Sequence, residues 1–198
     1  MKNLPNILTT VRIGLTLVFL ALIYKAGFEV KFAACMIYLV AAITDYFDGY
    51  FARKYKVESN YGKIMDPIAD KFLVLAGFLV FMQLGDIALW MLVVIAAREV
   101  LLTLVRFFAL GKGMCLAAES AGKYKTFLQM GTIAFGQIII LIEEYTGGVI
   151  TTNTGQLNSF WYNGFFILMI CTVLITLYSG YQFLKNNWGV LFGGQVNC

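Results

Sequence analysis

The 198-residue sequence contains no histidine, and this absence limits the chemistry that is open to the chain. Catalysis by a Ser-His-Asp or Cys-His arrangement is excluded, as is any metal site with histidine ligands. A general base must therefore be a carboxylate, a lysine, a tyrosine or a cysteine. The four cysteines are scattered without a CxxC pair, so we predict neither a disulfide framework nor a zinc site.

Charged residues are also scarce, at 13% of the chain, whereas 60% of the residues are hydrophobic and the mean hydropathy is +0.78. This composition is typical of an integral membrane protein. The net charge of +4 is small and no basic patch stands out, so we expect no nucleic-acid partner. The first apolar segment has no small-residue cleavage site after it, and we expect it to be retained.

The apolar runs predict an all-α integral membrane protein with a single domain over residues 1–198. We expect a bundle of about six transmembrane helices, with a short N-terminal interfacial helix that starts near Pro5. The spans are expected at roughly residues 13–24, 32–51, 62–83, 87–110, 126–142 and 160–183. Lys and Arg concentrate in the N-terminus, the 53–63 and 111–125 loops and the tail, which the positive-inside rule assigns to the cytoplasm. Glu143 and Glu144 are expected at a solvated loop end.

The most distinctive stretch places four carboxylates in an otherwise apolar part of the chain. On a helix, Asp45 and Asp48 share one face, and Asp66 and Asp70 share another. Four like charges that meet in a low dielectric repel one another, and two divalent cations would cancel their formal charge. All-oxygen ligands suit hard ions, so we predict Mg²⁺ or Mn²⁺, with a phosphate-bearing substrate completing the coordination.

Small and basic residues follow the first two carboxylates on the same side of the predicted helix. Gly49 and Ala52 leave room for a ligand to approach the backbone. Arg53 offers a planar guanidinium that can bind phosphate with two hydrogen bonds. The stretch therefore predicts a site for a metal-bound phosphate compound.

The spacing DxxDGxxARx8GxxxDxxxD resembles the signature of the CDP-alcohol phosphatidyltransferases, and every fixed position of that signature is present. In this family a CDP-linked lipid donates its phosphatidyl group to an alcohol, and CMP leaves. The resemblance implies that Asp70, the last aspartate of the motif, is the general base that deprotonates the acceptor hydroxyl. It also assigns a set of residues to the CDP-lipid: Asn6, Thr9, Gly49, Ala52, Arg53, Ser59 and Gly62.

The motif leaves four cations unexplained, namely Arg98, Arg106, Lys123 and Lys125. Arg98 lies about 12 Å deeper along its span than Arg106, and a deep cation needs a partner. One interpretation is a structural salt bridge, with Glu99 or the Asp cluster as the acid. The other is an anionic acceptor whose phosphate these cations hold. Lys71 is expected to pair with an acid or to extend toward the membrane surface.

The segments Ala97–Val100, Leu104–Arg106 and Gly122–Thr126 are similar to the phosphatidylglycerophosphate synthase branch of the family, and the likeness runs over nearly the whole chain. It implies CDP-diacylglycerol and glycerol 3-phosphate as substrates. It further implies a multi-pass homodimer among the lipids of a bacterial inner membrane, with the active site facing the cytoplasm. Inositol phosphate, serine or a second lipid could replace glycerol 3-phosphate as the acceptor. Outside this chemistry, the carboxylates could belong to a small cation transporter or to an inactive homologue.

Overall fold

Six α-helices make up the part of the chain that the structure, a computed structural model, describes: residues 4–55, 60–112, 120–147 and 159–192. They are α1 (Leu4–Ile23), α2 (Phe28–Tyr55), α3 (Asn60–Leu84), α4 (Leu89–Gly111), α5 (Ser120–Thr146) and α6 (Ser159–Phe192). No strand occurs in these ranges, so the predicted all-α class is confirmed for them. Each predicted span coincides with one helix, and α6 continues nine residues beyond the predicted end at Phe183. The assignment to a single domain stays a prediction.

The N-terminal segment does not form the separate interfacial helix that we expected. Helix α1 runs without a break from Leu4 to Ile23. Pro5 lies in its first turn, where a missing N–H costs nothing because no helical carbonyl precedes it to accept the bond. A proline at this position therefore starts the helix and does not separate two elements.

A tight turn at residues 84–86 ends α3 with a glycine in the left-handed region. Gly85 has a φ of 85°. Its N–H donates to the carbonyl of Met82 at 3.2 Å, and the N–H of Asp86 donates to the carbonyl of Phe81 at 2.9 Å. These two bonds form a Schellman motif, which satisfies carbonyls that the end of a helix leaves without partners.

The helices pack around aromatic side chains. Helix α1 lies against α2 and α3, while α6 lies against α4 and α5. The rings of Phe19 and Tyr38 are 5.0 Å apart between centroids, and those of Phe81 and Phe165 are 5.2 Å apart. A Cβ at Gly136 would lie 2.4 Å from Cζ of Phe81, so only glycine lets α5 approach this ring.

Much of the apolar surface points outward, and polar side chains lie between helices. Leu101 is 59% exposed and Phe127 is 80% exposed, whereas the hydroxyls of Thr132 and Thr172 meet inside at 2.8 Å. Among the described residues, Tyr124–Thr146 and Asn163–Val190 are long and apolar enough to cross a membrane. Only 39% of the most apolar stretch of each is buried inside the protein.

Glu144, expected at a solvated loop end, lies in the last turn of α5 and also connects this helix to the start of α2. It accepts a hydrogen bond from the N–H of Gly27 at 2.6 Å and from Nζ of Lys31 at 2.5 Å. Its side chain is 21% exposed. The contact links residues that are 113 and 117 positions apart, which a local pattern cannot reveal.

Candidate functional site

The two halves of the aspartate motif lie on neighbouring helices, α2 and α3, which contact each other. Asp45 lies ten residues before Tyr55, the last residue of α2, and Asp70 lies ten residues after Asn60, the first residue of α3. A four-residue connection makes consecutive helices antiparallel neighbours. Asp45 and Asp70 are each about 15 Å along their helix from the connection.

Of the four aspartates, Asp70 is the one whose side chain the structure describes. It is half-buried, and no hydrogen bond or ion pair holds it within the described ranges. The side chains of Asp45, Asp48 and Asp66 lie outside the described part of the chain, and no group of three metal-ligating side chains occurs within it. A half-buried carboxylate is an oxygen donor of the kind that the predicted site for a hard divalent ion requires.

Helix α1 brings a buried polar face to the helices that carry the aspartates. Thr9 and Arg12 are 1% exposed and Thr16 is fully buried, and their spacing puts them on one side of the helix. The hydroxyl of Thr16 donates to the carbonyl of Arg12 at 2.8 Å. Since α1 contacts α2 and α3 within the described residues, this polar face lies toward the two helices that carry the aspartate motif.

The remaining residues assigned to the CDP-lipid are only partly covered. Ser59 lies outside the described residues. The backbone of the others belongs to α1, α2 or α3, and their side chains lie outside the described part: Asn6, Gly49, Ala52, Arg53 and Gly62. Their roles stay predictions.

A buried carboxylate on α4, Glu99, lies at the centre of a group of cations. The side chain of Glu99 is 3% exposed. Its Oε1 accepts a hydrogen bond from Nζ of Lys125 and another from Nη1 of Arg98 at 3.3 Å. Its Oε2 pairs with Nζ of Lys71 at 3.4 Å. Lys71 belongs to α3, Arg98 to α4 and Lys125 to α5, so three helices meet in this Glu99 cluster.

The Glu99 cluster carries more positive than negative charge. Lys71, Arg98 and Lys125 oppose one carboxylate, so these four side chains have a formal net charge of +2. Burial strengthens both the attraction to Glu99 and the repulsion among the cations, because water screens neither. An anion that entered between Arg98 and Lys125 would balance the remaining charge.

Lys71 connects the Glu99 cluster to the aspartate motif. It follows Asp70 directly, and consecutive Cα atoms are about 3.8 Å apart. The expectation that Lys71 pairs with an acid is confirmed by its contact with Glu99. The candidate base and one cation of the cluster are therefore consecutive residues of α3.

The structure does not gather all four cations that the sequence grouped. Arg98 and Lys125 meet at Glu99. The guanidinium of Arg106 lies 5.1 Å from the ring centroid of Phe183, about 10 Å along α4 from Glu99. The side chain of Lys123 lies outside the described part of α5. The anticipated salt bridge between Arg98 and Glu99 is present, and it is one part of a larger cluster.

The sequence did not indicate the burial or the long-range contacts of three contributors to the site: Arg12, Glu99 as a centre, and Ser179. The signal for Glu99 was an acid inside an apolar span with an arginine beside it. Ser179 of α6 accepts a hydrogen bond from Nη2 of Arg98 at 2.7 Å, a contact between residues 81 positions apart that no local pattern reveals. In the sequence, Arg12 belongs to a polar N-terminal stretch. Its burial depends on the packing of α1 against α2 and α3, which the sequence does not show.

Comparisons with known proteins agree with this geometry. A family model for CDP-alcohol phosphatidyltransferase matches residues 2–178. A Bacillus subtilis (strain 168) protein named CDP-diacylglycerol--glycerol-3-phosphate 3-phosphatidyltransferase is 31% identical over 204 residues, covering 96% of this chain and 98% of the relative. A Rickettsia typhi protein of the same name is 32% identical over 185 residues, covering 93% of this chain and 97% of the relative.

The family match spans both the aspartate motif and the Glu99 cluster, and the relatives align over nearly their whole length. Fold, motif and comparisons lead to one conclusion: the chain belongs to the CDP-alcohol phosphatidyltransferase family, which is a family of enzymes.

Proposed function

We propose that the protein transfers the phosphatidyl group of CDP-diacylglycerol to glycerol 3-phosphate, giving phosphatidylglycerophosphate and CMP. The names of the relatives support this reaction. The observation that carries it is the Glu99 cluster, a largely buried surplus of positive charge that includes Lys71, the residue that follows Asp70 in α3. A phosphate on the acceptor accounts for that surplus.

On the donor side, the four aspartates of α2 and α3 would hold two divalent ions, Mg²⁺ or Mn²⁺. Such ions, when bound, offset the charge that develops on the pyrophosphate as CMP leaves. Arg53 would bind a donor phosphate, and Gly49 and Ala52 would leave space for it. Asp70 would take the proton from the acceptor hydroxyl, whose oxygen then attacks the phosphorus on the lipid side.

On the acceptor side, Arg98 and Lys125 would bind the phosphate of glycerol 3-phosphate. A phosphate monoester carries between −1.5 and −2 charges at about pH 7, which is close to the formal +2 of the Glu99 cluster. Serine lacks this charge and would leave the cations unbalanced. Inositol phosphate has a phosphate too, and the relatives' names favour glycerol 3-phosphate over it.

The outward apolar side chains support a location within the membrane. Exposed residues such as Leu101 and Phe127 would contact lipid, and the two candidate spans on α5 and α6 have the required length. We place the other helices in the membrane as well, with the aspartates toward the cytoplasm of a bacterial cell. The homodimer stays a prediction from the resemblance.

The decisive experiment is CMP release by the purified protein in detergent with CDP-diacylglycerol and Mg²⁺ or Mn²⁺. Glycerol 3-phosphate, inositol phosphate and serine are offered separately. We expect CMP with glycerol 3-phosphate alone. Release with a different acceptor would keep the aspartate chemistry and refute the acceptor, while folded protein without release would favour a transporter or an inactive homologue.

The base assignment is tested with Asp70→Asn, which keeps the size of the side chain and removes its basicity. We expect CMP release to fall by about 10²- to 10⁴-fold, the usual contribution of a positioned general base. Glu29→Gln is the matched control, because Glu29 is an exposed acid in the first turn of α2, away from both clusters. Equal loss in both variants, or full activity in Asp70→Asn, would contradict the role of Asp70.

A further inference from the structure

Two residues of helix α6, Ser179 and Gly180, hold the side chain of Arg98 in place. The proposed reaction does not by itself explain these contacts. Ser179 is fully buried, and its Oγ accepts a hydrogen bond from Nη2 of Arg98 at 2.7 Å. The other terminal nitrogen, Nη1, donates to Glu99 at 3.3 Å. Both ends of the guanidinium are thus held by protein groups on two different helices.

Because Gly180 has no side chain, the aliphatic part, or stem, of the Arg98 side chain can lie against α6. A Cβ at this position would lie 3.3 Å from Cγ of Arg98 and 3.5 Å from its Nε. The first distance is tighter than an ordinary van der Waals contact, so a side chain here would push the stem away. Two consecutive residues of α6 therefore fix both the stem and one end of the guanidinium.

Fixing the guanidinium matters for an anion-binding arginine. The side chain has several rotatable bonds, and ordering them upon binding lowers affinity. An arginine whose planar group is already oriented loses less freedom for each hydrogen bond that it forms to a phosphate. The contacts with Ser179 and Gly180 therefore preorganise the guanidinium of Arg98 for a phosphate that enters the Glu99 cluster.

We propose that Ser179 and Gly180 are positioning residues for the acceptor phosphate, which act through Arg98 and touch no substrate. This inference rests on the proposed function, because it takes the acceptor to be glycerol 3-phosphate. A role limited to helix packing would weaken the protein and both substrate affinities together. A positioning role affects the affinity for one substrate.

The test compares Ser179→Ala with Thr176→Val in the full-length protein in detergent. Thr176 lies about one turn earlier on α6, is fully buried, and accepts a hydrogen bond from Gln129 at 3.3 Å instead of one from Arg98. For Ser179→Ala we expect KM for glycerol 3-phosphate to rise about 10- to 150-fold, as for the loss of a hydrogen bond to a charged group. Its kcat and its KM for CDP-diacylglycerol should change less than about twofold, the pattern for lost substrate binding. Thr176→Val should leave all three constants near those of the wild type.

A second pair of variants keeps the proposal falsifiable. Gly180→Ala should raise the same KM with every hydrogen-bonding group retained, and it decides the question if Ser179→Ala does not fold. In an Arg98→Lys background, Ser179→Ala should have almost no further effect on this KM. An unchanged KM in both single variants, an equal rise for both substrates, or a full effect in the Arg98→Lys background would overturn the proposal. Wild-type protein without CMP release from glycerol 3-phosphate would instead refute the proposed function.

Discussion

Neutralising Glu99 is the most direct test of the buried cation cluster. In Glu99→Gln the side chain keeps its size, but Lys71, Arg98 and Lys125 lose their common counter-charge. At separations of 3.3 to 3.4 Å, each pair gains roughly 5 kcal/mol of Coulomb energy if the effective dielectric constant is about 20. Desolvation of the charges offsets most of this gain.

The net loss of stability in Glu99→Gln arises because the substitution removes the acid and leaves its three cations in place. Removing one partner and leaving the other charge buried costs about 3–5 kcal/mol. For a chain of this length, each kcal/mol corresponds to about 2–4 °C in Tm, so we expect Glu99→Gln to melt about 10 °C below the wild type. The shift should persist at high salt, because buried charges are poorly screened.

The assay is thermal unfolding of the purified protein in detergent, with and without glycerol 3-phosphate. Under the proposed function, the phosphate supplies the missing negative charge, so it should raise the Tm of Glu99→Gln more than that of the wild type. The exposed Glu29→Gln serves as the control and should shift Tm by less than about 2 °C. A Glu99→Gln protein that melts within about 2 °C of the wild type would refute the argument for a buried, charge-balancing carboxylate.

Two further predictions concern stability. Burial raises the pKa of Asp86 from 3.8 to about 6, so the wild type should lose stability as the pH rises from about 4 to about 6. Asp86→Asn should therefore gain about 1 kcal/mol at pH 7.5, with solvent screening allowed for, and match the wild type at pH 4; an equal gain in Tm at both values would contradict this. Gly136→Ala should lose about 1–3 kcal/mol in thermal unfolding, because its Cβ would lie 2.4 Å from Cζ of Phe81. Gly131→Ala on the same helix meets open space and should be neutral or stabilising; equal effects of the two alanines would refute the packing argument.

The helices were predictable because each depends on a local pattern. Apolar runs located all six, and Gly85 marked the end of α3 because glycine adopts a positive φ without strain. The N-terminus was harder, since Pro5 fits both the start of a long helix and a short separate one. The continuous α1 resolves that ambiguity.

The site was predictable only where its residues are close in sequence. The spacing of the aspartates reveals a shared face within each helix. The contacts of Glu99 with Lys71 and Lys125 join residues 28 and 26 positions apart on different helices, and only packing can bring them together. The same holds for Glu144, whose partners are more than 110 positions away.

Because Asp70 and Lys71 are consecutive residues of α3, the helix fixes the distance between their backbone atoms. Consecutive side chains leave a helix about 100° apart, and the backbone between them hardly stretches. Lys71 reaches Glu99, and Asp70 belongs to the aspartate motif. Under the proposed reaction, an acceptor must extend from Arg98 and Lys125 to the base, over a distance that the packing of α4 and α5 against α3 sets. Acceptors with a longer or shorter path between phosphate and hydroxyl would still bind through the phosphate, but their hydroxyl would miss the base.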